Sequence, residues 1–108
     1  MKDFVEEYYF QPNFDDTDGY DKERAQRKAF SVILPIIMKQ ELTERQNICL
    51  RYHYVMGKSQ QEIADILKLS QPTVSRHINA AKNIVNNKLC YCYAALHTAL
   101  DEYDRLAG

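Results

Sequence analysis

The sequence predicts an all-α protein, and its length, its turn content and its apolar spacing support that prediction. The 108 residues are enough for one compact domain and too few for two ordinary ones. Only three glycines and three prolines occur, which leaves little turn material for a sheet of many strands. Apolar residues recur at steps of three and four over most of the chain. We therefore expect four or five helices around one core.

The first 20 residues are expected to form a loose segment. They combine acidic and aromatic side chains with Pro, Asn, Asp and Gly, the residues typical of loops. One short helix is predicted at residues 4–10, with the aromatic side chains packed onto the body of the protein. Residues 21–108 are then expected to form a single all-α domain.

A long helix is predicted from about residue 21 into Leu34. Its apolar positions recur mostly every three or four residues, at Ala25, Ala29, Phe30, Ile33 and Ile37. Pro35 removes one backbone donor and crowds the carbonyl group four residues earlier, so we expect this helix to kink or restart there.

Two further helices are predicted from their caps. Thr43 and Gln46 form a capping-box pair at the start of one helix, and Gly57 is its stop signal. Ser59 and Glu62 form a second capping-box pair, which opens a short helix.

The last helix is predicted to begin after Ser70, with Pro72 in its first turn, where proline is tolerated. An unbroken helix over residues 71–106 is about 54 Å long at 1.5 Å per residue. A domain of this size cannot bury all of that length. We expect either a break at Asn86 and Asn87, two weak helix formers, or a partner that covers the far half.

Residues 60–79, QQEIADILKLSQPTVSRHIN, meet the requirements of a helix-turn-helix. Two short helices that cross steeply need a shared apolar wedge, and five residues lie at the required offsets: Ile63, Leu67, Leu69, Val74 and Ile78. Ala64 is the small residue that permits close approach, and residues 68–70 are a three-residue turn. We place the helix-turn-helix at residues 59–87 and a C-terminal helical extension at 88–106.

The outward face of the last helix has the composition of a DNA-reading surface. Helical geometry turns a polar set outward, namely Gln71, Pro72, Ser75, Arg76, Asn79 and Lys82. Arg76 offers two donors that match guanine, and Gln71 or Asn79 suits adenine. Pro72 or the methyl group of Thr73 can touch a thymine methyl group. The alternative is an ordinary helical hairpin with a solvated polar face.

Phosphate contacts are expected at the starts of the two helices, because free N–H groups near Ser59 and Ser70 lie at positive helix dipoles. The candidates are Lys58, Ser59, Gln60 and Lys82. Charge supports this, since residues 70–89 contain no acid, whereas residues 1–23 carry two lysines against eight acids. The acidic segment either folds over the basic surface and competes with DNA or is a solvated tail.

The segment LTERQNICLRYHYVMGKSQQEIADILKLSQPTVSRHINAAKNIVNNKL resembles region 4 of the sigma-70 family, the part of a sigma factor that reads a promoter element. Residues 42–46 and 50–52 match its leucine-rich helix, and EIADILKLSQPTVSRHI matches its two-helix reader. The resemblance covers about half the chain. It implies an apolar surface on the helix of residues 43–55 that can meet RNA polymerase, and base-reading roles for Gln71, Thr73, Ser75 and Arg76.

The sequence also departs from that family. It contains no counterpart of region 2, so we expect a small sigma-like regulator and not a complete promoter-melting sigma factor. Lys68 stands where the turn often has glycine, so a left-handed lysine is expected. Asn79 and Ala80 stand where the family is often rich in arginine, which weakens the predicted grip on phosphate.

The resemblance implies a sequence-specific regulator that binds double-stranded DNA. Two alternatives stay open. One is an anti-sigma-type or polymerase-binding adaptor. The other is a protein-interaction module similar to the small helix-turn-helix proteins associated with the signal recognition particle.

An apolar seam with heptad spacing continues along the last helix, beyond Ile78 and Val85. Its outer members are Leu89, Cys92, Leu96, Ala99, Tyr103 and Leu106. The seam either joins two copies in a homodimer, which suits a reader of two DNA half-sites, or closes over the first long helix within one chain.

Other functions find little support. Cys90 and Cys92 lie about 200° apart on a helix, which suits one metal ion poorly, and His53 and His77 lack a nucleophile partner. We therefore expect no metal, no cofactor and no catalysis. No apolar run is long enough to span a bilayer, and the acidic N-terminus does not resemble a secretory signal. With three cysteines, an odd number, a cytoplasmic protein is expected.

Overall fold

The computed structural model describes residues 3–8 and 22–107. These residues form five helices and no strand: α1 (Phe4–Tyr8), α2 (Lys22–Glu41), α3 (Glu44–Tyr54), α4 (Gln60–Leu67) and α5 (Gln71–Ala107). The all-α prediction is confirmed. The short helix predicted near the N-terminus is present as α1, and the rest of the loose segment predicted there lies outside the described residues.

Helix α2 does not end at Pro35 but continues to Glu41, so of the two outcomes expected there, a kink or a restart, the restart does not occur. Pro35 lacks the N–H group that would bond the Ser31 carbonyl, and the helix loses one hydrogen bond there. Leu34 and Ile37, on either side of the proline, are both buried in the same core. This shared packing keeps the helix continuous across the proline.

Both capping boxes form as predicted. The Thr43 hydroxyl accepts from the Gln46 N–H at 3.1 Å, and the Gln46 side chain accepts from the Thr43 N–H at 3.0 Å. Ser59 and Glu62 make the same two bonds at 3.1 and 3.2 Å. Gly57 lies between α3 and α4 with a φ of +67°. This left-handed conformation favours glycine and prevents α3 from continuing.

Helix α5 is the element on which the others assemble. It is 37 residues long, and each of α1 to α4 packs against it. Its buried face meets apolar residues of the other helices in one core, at whose centre lie Phe30, Leu50, Ile63, Val74, Ile78, Val85 and Leu89. One long helix therefore carries both the core and the start of the proposed reading surface.

The break expected at Asn86 and Asn87 does not occur. The buried Asn86 side chain accepts from the Val5 N–H at 3.0 Å and donates to Asp3 at 3.2 Å. These bonds hold α1 against α5. They give a weak helix former a tertiary role that offsets its low helix propensity.

The apolar seam of α5 changes from buried to exposed along the helix. Leu89 is buried, Cys92 and Leu96 are half-buried, and Ala99, Tyr103 and Leu106 are exposed. The first half of the seam is thus closed within the chain, in part against α2. Leu89 faces the chain's own core, in contrast to its predicted place in a dimer contact.

Candidate nucleic-acid interface

The α4–turn–α5 unit is held by the predicted apolar wedge. Ile63, Val74 and Ile78 are at most 2% exposed, and Ala64, at 1%, lies where α4 meets the rest of the core. Lys68 has a φ of 58°, the left-handed conformation expected for it. The Leu69 N–H then donates to the Ala64 carbonyl at 2.9 Å, which closes the turn before α5 begins.

Polar side chains form a chain along the first turn of α5. The Ser70 hydroxyl accepts from the Thr73 N–H at 3.3 Å, and the Ser70 and Thr73 hydroxyl groups lie 2.7 Å apart. Arg76 donates to the Thr73 hydroxyl at 3.3 Å. Ser70 therefore caps the helix, and the cap also orients the Arg76 guanidinium group, which keeps further N–H donors free.

A side-chain bond connects the two helices of the unit at their first residues. Gln71 Nε2 donates to Gln60 Oε1 at 2.6 Å. The Gln71 carbonyl oxygen and the Gln60 amide N–H groups stay available for a ligand, because each amide carries both donors and an acceptor. The pair joins a predicted base contact to a predicted phosphate contact.

The predicted DNA-contacting residues lie around the start of α4, at the start of α5 and along the first turns of α5. The exposed members are Ser59, Ser70, Gln71, Pro72, Arg76 and Asn79. The half-buried members are Lys58, Gln60, Thr73, Ser75 and Lys82. No acidic side chain lies in the first turn of α5, so the start of this helix presents hydrogen-bonding groups and no negative charge of its own.

Lys82 is already paired with acids. Its Nζ lies 3.0 Å from Asp3 Oδ2 and 3.0 Å from Glu6 Oε1, and its side chain is only 21% exposed. The same ammonium group lies 5.6 Å from the centre of the Tyr54 ring, whose hydroxyl donates to Glu6. The sequence predicts a phosphate contact for Lys82. It does not predict which acids pair with this lysine, because 76 positions separate Glu6 from Lys82.

These contacts favour the charged forms of the acids and of the lysine. Burial raises the pKa of Asp3, but hydrogen bonds, led by that of the Glu6 N–H, lower it below its ordinary value. Hydrogen bonds from Tyr54 and Lys82 lower the pKa of Glu6. Burial lowers the pKa of Lys82, but its hydrogen bonds, led by that with Tyr54, raise it well above the usual range.

His53 supports the loop that precedes α4, a role that sequence reasoning did not assign. Its Nδ1 lies 3.0 Å from the Lys58 carbonyl, which can only accept, so Nδ1 carries the proton of this bond. The Lys58 N–H donates to the Tyr52 carbonyl at 3.0 Å. The loop that carries Lys58 and Ser59 is thereby fixed to α3.

A second surface lies beside the helix-turn-helix. A groove of about 270 Å³ is lined by Ile48, Arg51, Tyr52, Val55, Met56 and Leu67. Val55 and Met56 are 61% and 63% exposed, which is high for large apolar side chains. The end of α3 therefore offers an apolar surface, in the region where the sequence predicts one.

Residues 3–8 and 22–107 contain no group of His, Cys, Asp or Glu placed to hold a metal ion. Within the same ranges, no helix combines the length and the apolar character that a membrane crossing requires.

Comparison with known protein families gives a match to the middle of the chain. Residues 38–84 match the family model described as Sigma-70, region 4. No curated protein and no solved structure matches the chain. The matched segment contains both capping boxes, the apolar wedge and the exposed start of α5. Domains of this family are typically DNA-binding modules and are generally non-catalytic. Residues 38–84 are thus a sigma-70 region 4 helix-turn-helix domain, continued by a long C-terminal helix.

Proposed function

We propose that the chain is a sequence-specific regulator of transcription that inserts the start of α5 into the major groove of double-stranded DNA in the bacterial cytoplasm. One observation carries the proposal: an exposed, acid-free polar surface begins at the N-terminus of α5, beside the wedge that joins it to α4. The width of the major groove admits one α-helix, and its base edges offer the donors and acceptors that such side chains recognise.

The proposed roles follow from position. Arg76 and Gln71 are exposed and carry the groups that suit guanine and adenine. Pro72, Thr73, Ser75 and Asn79 complete the base-reading set. Lys58, Ser59, Gln60 and Ser70 lie at the two helix starts, where N–H groups and positive helix dipoles favour phosphate.

The side-chain bonds within the surface favour this function. Arg76 is held by Thr73, and Gln71 by Gln60, before any ligand is present. Side chains that are already oriented lose less conformational freedom on binding, so the same contacts yield a higher affinity.

Selection of bound duplexes from a random DNA pool tests the proposal. We expect enrichment of one short motif, and an affinity for that motif that falls steeply as salt rises. A pool that stays random after repeated rounds would contradict sequence-specific binding. Binding that does not respond to salt would contradict a DNA contact altogether.

The groove at the end of α3 supports a second function, docking to a protein. Given the family, we propose RNA polymerase as the partner, with Val55 and Met56 as the apolar contacts. The variant Val55→Asp/Met56→Asp should lose binding to purified RNA polymerase and keep binding to the selected DNA. Polymerase binding equal to that of the wild type would exclude this groove.

A further inference from the structure

Two carboxylates near the N-terminal end of the chain form ion pairs with a lysine of the helix that is proposed to read DNA. Asp3 and Glu6 each lie 3.0 Å from Lys82 Nζ. We propose that this contact, which we call the N-terminal clamp, is autoinhibitory: docked α1 withholds Lys82 from phosphate, and release of α1 raises the affinity for DNA. The inference rests on the proposed function.

The clamp lies beside the reading surface. Lys82 follows the exposed Asn79 by three residues, so the two side chains are neighbours on the surface of α5. Asp3 and Glu6 therefore place negative charge about one helical turn from side chains proposed to contact DNA. A phosphate group approaching this edge meets two carboxylates in place of a free ammonium group.

The clamp is held by packing as well as by charge. Phe4 and Val5 of α1 are almost completely buried, and the Phe4 ring lies 5.7 Å from that of Phe30 and 5.4 Å from that of Tyr93. Asn86 binds both the Val5 N–H and Asp3. The closed form is thus a defined contact and not only an attraction between opposite charges.

The same contact is small enough to open on its own. Helix α1 has five residues; it packs against α2 and α5 and is bonded to α3 through Glu6 and the Tyr54 hydroxyl. Short terminal elements with few buried residues open at a lower free-energy cost than the core. Because the apolar wedge of the helix-turn-helix does not include α1, the reading surface can persist when α1 leaves.

The effect on DNA binding has two parts. A lysine that becomes free to contact one more phosphate steepens the salt dependence of log affinity by about 0.9. Removing two negative charges beside the proposed phosphate contact strengthens binding further, because charges closer than the Debye length of about 10 Å at 0.1 M salt still repel phosphate.

The test uses the full chain, a random-sequence duplex of about 30 base pairs and a range of NaCl concentrations. In Asp3→Asn/Glu6→Gln both carboxylates become neutral. In the wild type the backbone N–H of residue 6 donates to Asp3 Oδ1 at 3.1 Å. An Asn side chain at position 3 can still accept this bond, so the start of α1 is preserved. We expect at least a fivefold gain in affinity at low salt and a salt slope steeper by about one phosphate contact.

Asp101→Asn/Glu102→Gln is the matched control, because it makes the same change in net charge on exposed residues near the far end of α5. We expect a smaller gain and an unchanged salt slope. Adding Lys82→Gln to Asp3→Asn/Glu6→Gln should abolish the steeper slope. The inference is overturned if the DNA affinity of Asp3→Asn/Glu6→Gln rises no more than that of the control, or if its salt slope does not depend on Lys82.

Circular dichroism establishes that each variant is folded at the assay temperature. If Asp3→Asn/Glu6→Gln unfolds, the single variant Glu6→Gln is tested in its place against the same control. Its expected gain in log affinity is about half as large, and its steeper salt slope should again depend on Lys82. If the wild type and all variants fail to bind DNA, the proposed function fails. If the wild type binds and neutralising the acids changes nothing, only the autoinhibition fails.

Discussion

At the scale of single residues, the helix-turn-helix depends on one small side chain and one left-handed backbone conformation. Ala64 is 1% exposed in the wedge, and Lys68 adopts a φ of 58° in the turn. Together they fix the direction in which α5 leaves α4. A substitution at the buried Ala64, which is not itself a proposed DNA contact, can therefore abolish binding by moving the whole reading surface.

Ala64→Leu is expected to lower the free energy of unfolding by about 1–3 kcal/mol, because three more carbon atoms must enter a packed core. Urea denaturation measures this change. The control is Ala94→Leu on α5, where the alanine is exposed and the added atoms meet solvent. Equal stability of the two variants would show that the wedge tolerates a larger residue.

Arg76→Ala is expected to weaken binding to the selected DNA by about 1–3 kcal/mol if Arg76 pairs with guanine, and to relax the preference at one base position. Competition between the selected and random duplexes measures both effects. Lys58→Ala is the comparison, since the loss of a phosphate contact should weaken binding equally on all sequences. An equal, small loss on both duplexes for Arg76→Ala would assign Arg76 to phosphate.

At the scale of elements, α5 serves three purposes along its length. Its start presents the reading surface, its middle supplies the core, and its end extends beyond the other helices with an exposed apolar seam. Tyr103 and Leu106 are 65% and 80% exposed. We propose that this outer part of the seam joins two copies, while Leu89 stays within each chain.

Tyr103→Glu/Leu106→Glu is expected to convert a dimer into a monomer, because it places four carboxylates along two facing seams. Sedimentation equilibrium over a range of protein concentrations measures the change. Tyr91→Glu is the control, since Tyr91 is 78% exposed but lies off the seam. A wild-type protein that is monomeric at all concentrations would contradict the dimer.

At the scale of the whole molecule, the near-neutral net charge conceals an uneven distribution. The N-terminal segment is acidic and the region 4 domain is basic, and the clamp joins them through Lys82. Both carboxylates of the clamp have lowered pKa values in the folded protein. The unfolded chain therefore binds more protons in acid, and folding stability rises with pH there.

The thermal midpoint is expected to fall as the pH drops below about 4.5, where the two carboxyl groups take up protons in the unfolded chain more readily than in the folded protein. In Asp3→Asn/Glu6→Gln this fall should be shallower between pH 5 and pH 3. Thermal melts followed by circular dichroism at several pH values measure both curves. Parallel curves for the two proteins would show that the clamp adds nothing to stability.

Local features were predictable because their causes are local. The capping boxes, the wedge around Ala64 and the left-handed Lys68 each depend on residues within about 15 positions of one another. The restart expected at Pro35 failed because core packing on both sides of the proline outweighs one lost hydrogen bond. Local propensity is a weak guide wherever tertiary contacts oppose it.

The sequence by itself determined the helical class, the two capped helices, the turn and the polar face of α5, since spacing and side-chain chemistry suffice for these. Only the tertiary structure decided that α5 is unbroken at Asn86, that Leu89 belongs to the core, and that Asp3 and Glu6 hold Lys82. The contacts of Asn86 and Lys82 join residues more than 70 positions apart. No periodic pattern encodes such pairs, because packing of the whole chain brings them together.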